Sequence, residues 1–348
     1  MSQRVLLDMD IQSLKEMASG YGYPAYRGKQ VWDWLYKGTV EISEMKNLPN
    51  KLRERLEEDF VTGMPEIVKK RVSKLDDTAK YLLRYHDGSI VECVRLLYRF
   101  GTTVCVSSQV GCRMGCTFCA STKGGLVRSL TRGEILAQVL TVQMDTGTRV
   151  SNVVIMGSGE PLDNYVNVAG FIRMLGYKEG LNIGQRHITL STCGLVPEII
   201  RLADLGLQIT LSVSLHAADD ETRARLMPVA KKYRIKEVLE GCRYYAKRTG
   251  RRITFEYALA EGQNDRPEDA QKLASLLRGM LCNVNLIPVN PIEGSGYRQP
   301  DRNSVRGFKA MLIQRGIAVT VRREMGRDIA GACGQLKAGY IKERNIRN

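Results

Sequence analysis

From about residue 132 to residue 322, helix-like and β-rich segments alternate, and no other feature of this 348-residue chain restricts its fold as much. The β-rich runs are Ser151–Met156, His187–Ser191, Gln208–Leu215, Arg252–Leu259, Asn283–Val289 and Ala318–Arg322. Apolar residues recur at helical spacing near 132–146, 164–177, 196–205, 235–249, 267–280 and 303–315. Strands separated by helices of this length pair in parallel through right-handed crossovers. About six such units curve into a full or partial barrel, whose functional side chains gather at the carboxyl ends of the strands. The expected class is therefore α/β, a partial β/α barrel.

Two other units precede the barrel. Residues 1–60 have helical periodicity, with apolar positions spaced for helices in Asp10–Ser19, Gly28–Lys37 and Leu48–Phe60. This helical accessory unit carries several lysines and arginines. It is either a small RNA-contacting appendage or a cap that buries apolar surface of the barrel. Residues 61–103 change to a period of two, with turn signals at Asp76–Asp77, Asp87–Gly88 and Gly101, the pattern of a β-meander. The barrel is expected over 104–325, and a short C-terminal segment follows over 326–348.

The densest chemistry lies in Gly111–Gly125, GCRMGCTFCASTKGG, where Cys112, Cys116 and Cys119 stand in a C-x3-C-x2-C spacing. Thiolates this close converge on one metal centre. Iron–sulfur cubanes normally take four cysteines, so three would leave one iron open to a small molecule. A structural zinc site or idle thiols are the alternatives, although zinc sites usually pair two knuckles and no second knuckle follows.

Small polar groups recur where strands should end. Gly157–Pro161 (GSGEP) places Glu160 beside Gly159, and glycines there either admit a ligand to the backbone or simply make a tight turn. Ser191 ends the next run; Ser214, Leu215 and His216 end the one after, and Asn290 follows the run at 283–289. Each alone reads as a cap. Together they present one rim suited to a nucleoside and amino-acid ligand. Cys105 stands seven positions before Cys112, and Cys333 lies in Gly331–Leu336 among small residues. Cys93, Cys193, Cys242 and Cys282 sit in apolar or mixed runs and read as core thiols. Glu92, on an alternating strand, reads as exposed.

Lysine and arginine total 52 against 37 aspartates and glutamates, a formal charge of +15. Such a surplus points to a polyanionic partner. The runs at Lys231–Arg234, Lys247–Arg252 and Arg322–Arg327 are solvated faces or phosphate contacts. Nine cysteines without dense disulfide spacing suit a reducing compartment. The first residues lack the apolar run of a signal peptide, and no stretch approaches the ~20 apolar residues of a membrane span. A cytoplasmic location is expected.

With these residues in view, the whole chain resembles the RlmN-type dual-specificity RNA methyltransferases of the radical S-adenosylmethionine (SAM) superfamily. The matching motifs are CVSSQVGC at Cys105–Cys112, the cysteine loop, QRHITLSTCG, SLHA, RITFEYAL, VNLIPVNP, TVRREMG and ACGQL. GEPL at Gly159–Leu162 favours methylation of adenine carbon 2, since the sister Cfr-type enzymes, which methylate carbon 8, commonly have GEAL there. Ser158 replaces a methionine usual in the family. Leu126 and Ser129 stand where an aromatic and an asparagine are often found.

The resemblance implies the following. Cys112, Cys116 and Cys119 hold one 4Fe–4S cluster. Gly159, Glu160, Ser191, Ser214, Leu215, His216 and Asn290 bind SAM, two of which are consumed per turnover. Cys333 carries a methyl group, Glu92 accepts the carbon 2 proton, and Cys105 closes a transient disulfide with Cys333 that releases the product. The implied substrates are one adenine of 23S rRNA and adenine 37 of some tRNAs, with an external one-electron donor and a monomeric enzyme. Alternatives are the carbon 8 reaction, a zinc-containing RNA-binding protein without activity, and a thiol redox protein using Cys105 and Cys333.

Overall fold

The computed structural model describes residues 3–289 and 296–329. Asn290, Cys333 and most of the C-terminal segment lie outside those residues. The chain opens with a short strand β1 (Arg4–Val5), then helices α1 (Ile11–Gly20), α2 (Tyr26–Tyr36) and α3 (Asn50–Asp59), closed by β2 (Phe60–Val61), which pairs with β1 in parallel. A meander follows: β3 (Glu66–Val72), β4 (Ala79–Arg84), β5 (Ile90–Tyr98) and β6 (Gly101–Cys105), each antiparallel to the last. A small ribbon, β7 (Gln109–Gly111) with β8 (Leu126–Ser129), brackets the cysteine loop.

Strands and helices then alternate. They are α4 (Arg132–Thr146), β9 (Val150–Ile155), α5 (Tyr165–Leu175), β10 (Ile188–Thr192), α6 (Val196–Asp204), β11 (Thr210–Ser214), α7 (Asp220–Leu226) and α8 (Ile235–Thr249). The series ends with β12 (Ile253–Leu259), α9 (Pro267–Leu277), β13 (Cys282–Pro288), α10 (Arg302–Gln314) and β14 (Ala318–Val321). From β6 through β14 the neighbours are parallel. Strand β6 is the antiparallel partner of β5 and the parallel partner of β9, so meander and barrel share one sheet of ten strands among the described residues. The sheet's outer strands, β3 and β14, do not pair with each other, which makes the barrel partial.

Helix α4 is buried continuously from Gly133 to Val142. A helix covered on one side only shows an apolar stripe; one covered all round is apolar throughout. Here the second cover is the N-terminal unit. Arg132 Nε donates to the Asp8 carbonyl at 2.7 Å, and the Gly133 amide donates to Asp8 Oδ1 at 2.7 Å. Trp32 is buried, stacks on Tyr36, and donates from Nε1 to the Glu179 carbonyl at 3.2 Å. One hydrophobic core runs from Leu6, Trp32 and Leu52 into the barrel. The helical unit thus seals the flank of α4. Among the described residues no helix is long and apolar enough to cross a membrane.

A methyl group at position 133 has no room, because a Cβ there would lie 2.5 Å from the Leu7 carbonyl carbon and 2.7 Å from the Asp8 nitrogen. Gly133→Ala is expected to lower stability by about 1–3 kcal/mol through overpacking of this seam, read as a lower urea midpoint together with faster proteolysis before residue 62.

Candidate active site

The cysteine loop is pinned at its base. Gly111 pairs with Leu126, and the Cys112 amide donates to the Gly125 carbonyl at 2.9 Å. Gly111 has φ +82°, and a Cβ there would meet the Gly125 oxygen at 2.0 Å, so only glycine fits. The Cys119 amide bonds the Cys116 carbonyl at 3.1 Å, and Thr122 Oγ1 bonds the Cys119 carbonyl at 3.0 Å. At the loop's tip the Thr117 amide donates to the Leu226 carbonyl at the end of α7, at 3.0 Å.

Cys112 is buried, while Cys116 and Cys119 are half-buried. Burial, with the neighbouring thiols and Glu160 adding to it, pushes Cys112 up to about 11 and Cys116 up to about 12. Such thiols stay protonated until a cation takes the proton's place. Among the described residues no three His, Cys, Asp or Glu side chains gather round a point that would suit a single metal ion. A cubane asks for a different arrangement, since each of its cysteines takes a separate iron. The three thiols, electrostatically in range of one another on one loop, fit that group.

The GSGEP loop after β9 lies against the chain that leads to the cysteines. The Gly157 amide donates to the Val106 carbonyl at 3.0 Å, and the Ser158 amide to Ser107 Oγ at 2.9 Å. Cβ atoms at 157 and 159 would lie within 2.7 Å of residues 106–109. These glycines therefore admit the protein's own chain, backbone at 157 and the Ser108 and Gln109 side chains at 159, a closer reason for them than ligand approach. Glu160 is buried; its amide donates to Gln109 Oε1 at 2.9 Å, and its carboxylate accepts from the Leu162 and Cys193 amides at 3.0 and 2.7 Å. Burial raises its pKa and these hydrogen bonds oppose the rise. The Thr192 and Cys193 side chains also bond this carboxylate. Arg113, in the cysteine loop, forms a bidentate pair with Asp163, which also accepts from Gln109 Nε2 at 3.0 Å.

Ser191 and Ser214 stand half-buried at the carboxyl ends of adjacent strands β10 and β11. Leu215 is buried, and His216 follows with φ +57°. The Leu215 and His216 amides both donate to the Glu256 carbonyl, at 3.0 and 3.3 Å. His216 Nδ1 accepts from the Ala258 amide at 2.9 Å, so its proton resides on Nε2. Burial, and then the charge of Arg223, lower its pKa to about 3, and the ring is a neutral donor at physiological pH. The structure brings Gly159, Glu160, Ser191, Ser214, Leu215 and His216 to the carboxyl ends of β9, β10 and β11, beside the cysteine loop.

Glu92 is not the exposed strand residue that alternation suggested. It is buried on β5, and Lys80 Nζ, from β4, lies 3.1 Å from its carboxylate. Ser107 Oγ donates to the Glu92 carbonyl at 2.6 Å. Sequence reasoning missed Lys80, although opposite charges on facing strands of a hairpin were a visible signal. It also missed Gln109 and Arg223, whose partners are remote in the chain. Cys193 is buried as expected, but it packs beside Cys116 and Met114 and its thiol bonds Glu160. Cys105 ends β6 and is buried. Cys333 lies outside the described residues, yet the chain five to seven positions before it is fixed: Asp328 accepts from Ser73 Oγ and the Lys74 amide at 2.6 and 2.9 Å, and the Gly326 amide donates to Asp76 at 2.9 Å.

Lys80→Met removes the cation from a carboxylate that is nearly dry, and is expected to cost about 3–5 kcal/mol in denaturant unfolding, with Lys80→Arg recovering part. For His216 the folded pKa lies below the ordinary 6.5. Between 6.5 and about 3 the unfolded chain therefore takes up a proton that the folded chain refuses, and stability falls as pH falls through that window. The slope from this residue is at most ~1.4 kcal/mol per pH unit, and His216→Asn should flatten the pH dependence of the urea midpoint accordingly.

Residues 106–274 match the Radical SAM superfamily model, and residues 5–62 match the model of the ribosomal RNA large subunit methyltransferase N-terminal domain. The chain is similar to the probable dual-specificity RNA methyltransferase RlmN of Clostridium acetobutylicum, at 54% identity over 97% of this chain and 98% of that protein. It is 53% identical to the one from Clostridium tetani, over 98% of this chain and 97% of the relative. The crystal structure of a radical SAM methyltransferase from Sphaerobacter thermophilus superposes with a TM-score of 0.91 at 42% identity, covering 95% of this chain and 98% of that one. Family, fold and cysteine loop agree, and the chain belongs to the RlmN family of radical SAM RNA methyltransferases.

Proposed function

We propose that this enzyme methylates carbon 2 of one adenine in 23S rRNA and of adenine 37 in some tRNAs. The observation that carries the reading is end-to-end similarity to relatives named as dual-specificity RNA methyltransferases, in a chain that retains the cysteine loop and, in GEPL at 159–162, proline rather than alanine. The surplus of 52 basic over 37 acidic residues suits a polyanionic substrate, and an unpaired adenine splayed from RNA can be inserted into a pocket.

In this reading Cys112, Cys116 and Cys119 hold the 4Fe–4S cluster. Gly159, Glu160, Ser191, Ser214, Leu215, His216 and Asn290 bind SAM. Glu160 would accept from the ligand's ammonium group, and the His216 Nε2–H would donate to a ribose oxygen. Carbon 2 is electrophilic and holds its hydrogen firmly, so a simple displacement has no nucleophile to use. With a cluster and SAM held by these residues, one electron from an external donor would supply 5′-deoxyadenosyl radical chemistry at this rim. Cys333, already methylated by displacement on a first SAM, gives up a methyl hydrogen to that radical. The resulting methylene radical would add to carbon 2, and the adduct radical would give one electron back to the oxidised cluster. Glu92, its charge balanced by Lys80, takes the carbon 2 proton. The Cys105 thiolate then attacks the Cys333 sulfur, the sulfur–carbon bond breaks, and the departing carbon takes a proton as the new methyl group. Reduction of the Cys105–Cys333 disulfide by a dithiol reductant resets the enzyme, which acts as a monomer. Two SAM molecules are consumed per methyl group transferred.

Cys105→Ala, expressed with its cluster intact, is expected to retain RNA through denaturation, as an adduct joining an adenine to Cys333 through one carbon. Mass spectrometry of the digested adduct and of wild-type product distinguishes carbon 2 from carbon 8. Loaded protein that accumulates no adduct overturns the two-cysteine sequence, and attachment at carbon 8 overturns the assignment of position.

A further inference from the structure

Arg223, on α7, is completely buried. The Asp220 carboxylate is electrostatically in range, but among the described residues no carboxylate forms an ion pair with it, and its Nε has no hydrogen-bond partner. One terminal nitrogen donates to the Tyr233 carbonyl at 2.8 Å; the other donates to the Cys193 carbonyl at 2.8 Å and reaches the Ser214 carbonyl at 3.5 Å. A guanidinium keeps its charge under any such conditions. Leaving it desolvated without an anion in direct contact is among the costlier arrangements in a protein interior. Three carbonyls satisfy hydrogens but do not neutralise the charge.

The position of α7 suggests what does. Three residues after Arg223, the Leu226 carbonyl accepts the Thr117 amide at 3.0 Å and Thr117 Oγ1 at 3.3 Å, so this helix is bonded to the tip of the cysteine loop between Cys116 and Cys119. Leu226 and Cys193 pack with Met114, Cys116 and Phe118 in one apolar cluster. Arg223 is electrostatically in range of both Cys116 and Cys193 and of the His216 ring. Three thiolates outweigh the positive charge of an oxidised cubane, and an added electron deepens the negative charge in a medium that screens it poorly.

We propose that Arg223 is the built-in counter-charge of the cluster: a desolvated guanidinium behind the cysteine loop that stabilises the reduced state and so sets the potential at which the electron enters. Its grip on the Cys193 and Ser214 carbonyls holds the ends of β10 and β11 in place and keeps the charge from turning away. Arg223 is a positioning and electrostatic residue, and the inference rests on assigning the cluster to Cys112, Cys116 and Cys119.

The test is a redox titration of reconstituted wild-type, Arg223→Gln and Arg223→Lys proteins, followed by electron paramagnetic resonance, with iron and sulfide content measured on each. Arg223→Gln is expected to lower the reduction equilibrium about tenfold, ~59 mV for one electron, and Arg223→Lys, which keeps the charge and loses the planar grip, to move it by less than half of that. Loading of the lysine variant alone also supports the proposal, since charge then retains the cluster. Loaded Arg223→Gln at the wild-type potential overturns it. So do equal shifts in both variants, or equal failure of both to load, because the carbonyl grip would then be the whole role. Wild-type protein that binds zinc and no iron–sulfur cluster would instead overturn the assignment of the three cysteines.

Discussion

Four residues between β6 and the cysteine loop, Val106 to Gln109, are all buried, and their backbone polar groups must find partners inside the protein. The solution fixes the surroundings. Gln138 of α4 bonds both the Ser107 amide and carbonyl at 2.8 Å. Ser107 Oγ donates to Glu92 and accepts from Ser158. The Ser108 and Gln109 amides share the Ser158 carbonyl, and the Gln109 side chain bonds Glu160 and Asp163. Asn164 closes the set by donating to the Ser108 and Leu130 carbonyls. The cysteine loop, the carboxylate after β9, the buried Lys80–Glu92 pair and the core helix therefore share one hydrogen-bonded junction. None of them can shift without stranding a buried donor or acceptor.

The fold was largely legible in the sequence where local chemistry marked it. Helices α4 and α8 begin and end where periodicity placed them, because capping side chains start them and Gly147 and Gly250, both with positive φ, stop them. The polar strand ends were legible for the same reason, since parallel topology sends consecutive carboxyl termini to one rim. The cysteine spacing needed no tertiary information at all.

What remained hidden depends on contacts between distant segments. Glu92 read as exposed because alternation does not reveal that β4 and β5 are covered on both faces. The glycines at 157 and 159 gave no hint that residues 106–109 would press on them. Arg223 lies in DETRARL, a sequence with every mark of a solvated helix, and its burial follows only from where α7 is bonded. Gln109 and Gln138 are polar residues in apolar surroundings, legible as buried only once the junction between them exists.

The ten strands of the main sheet stand in space in the order in which they occur in the chain. Each new strand can add to an edge that already exists, without threading past later segments, so the sheet is able to grow from the amino end as the polypeptide is synthesised. The cysteine loop, however, leans on Leu226, more than a hundred residues beyond Cys112. A nascent chain thus exposes its three thiols well before the element that braces them is made. The brace that holds the cysteine loop is therefore complete only in the later half of synthesis.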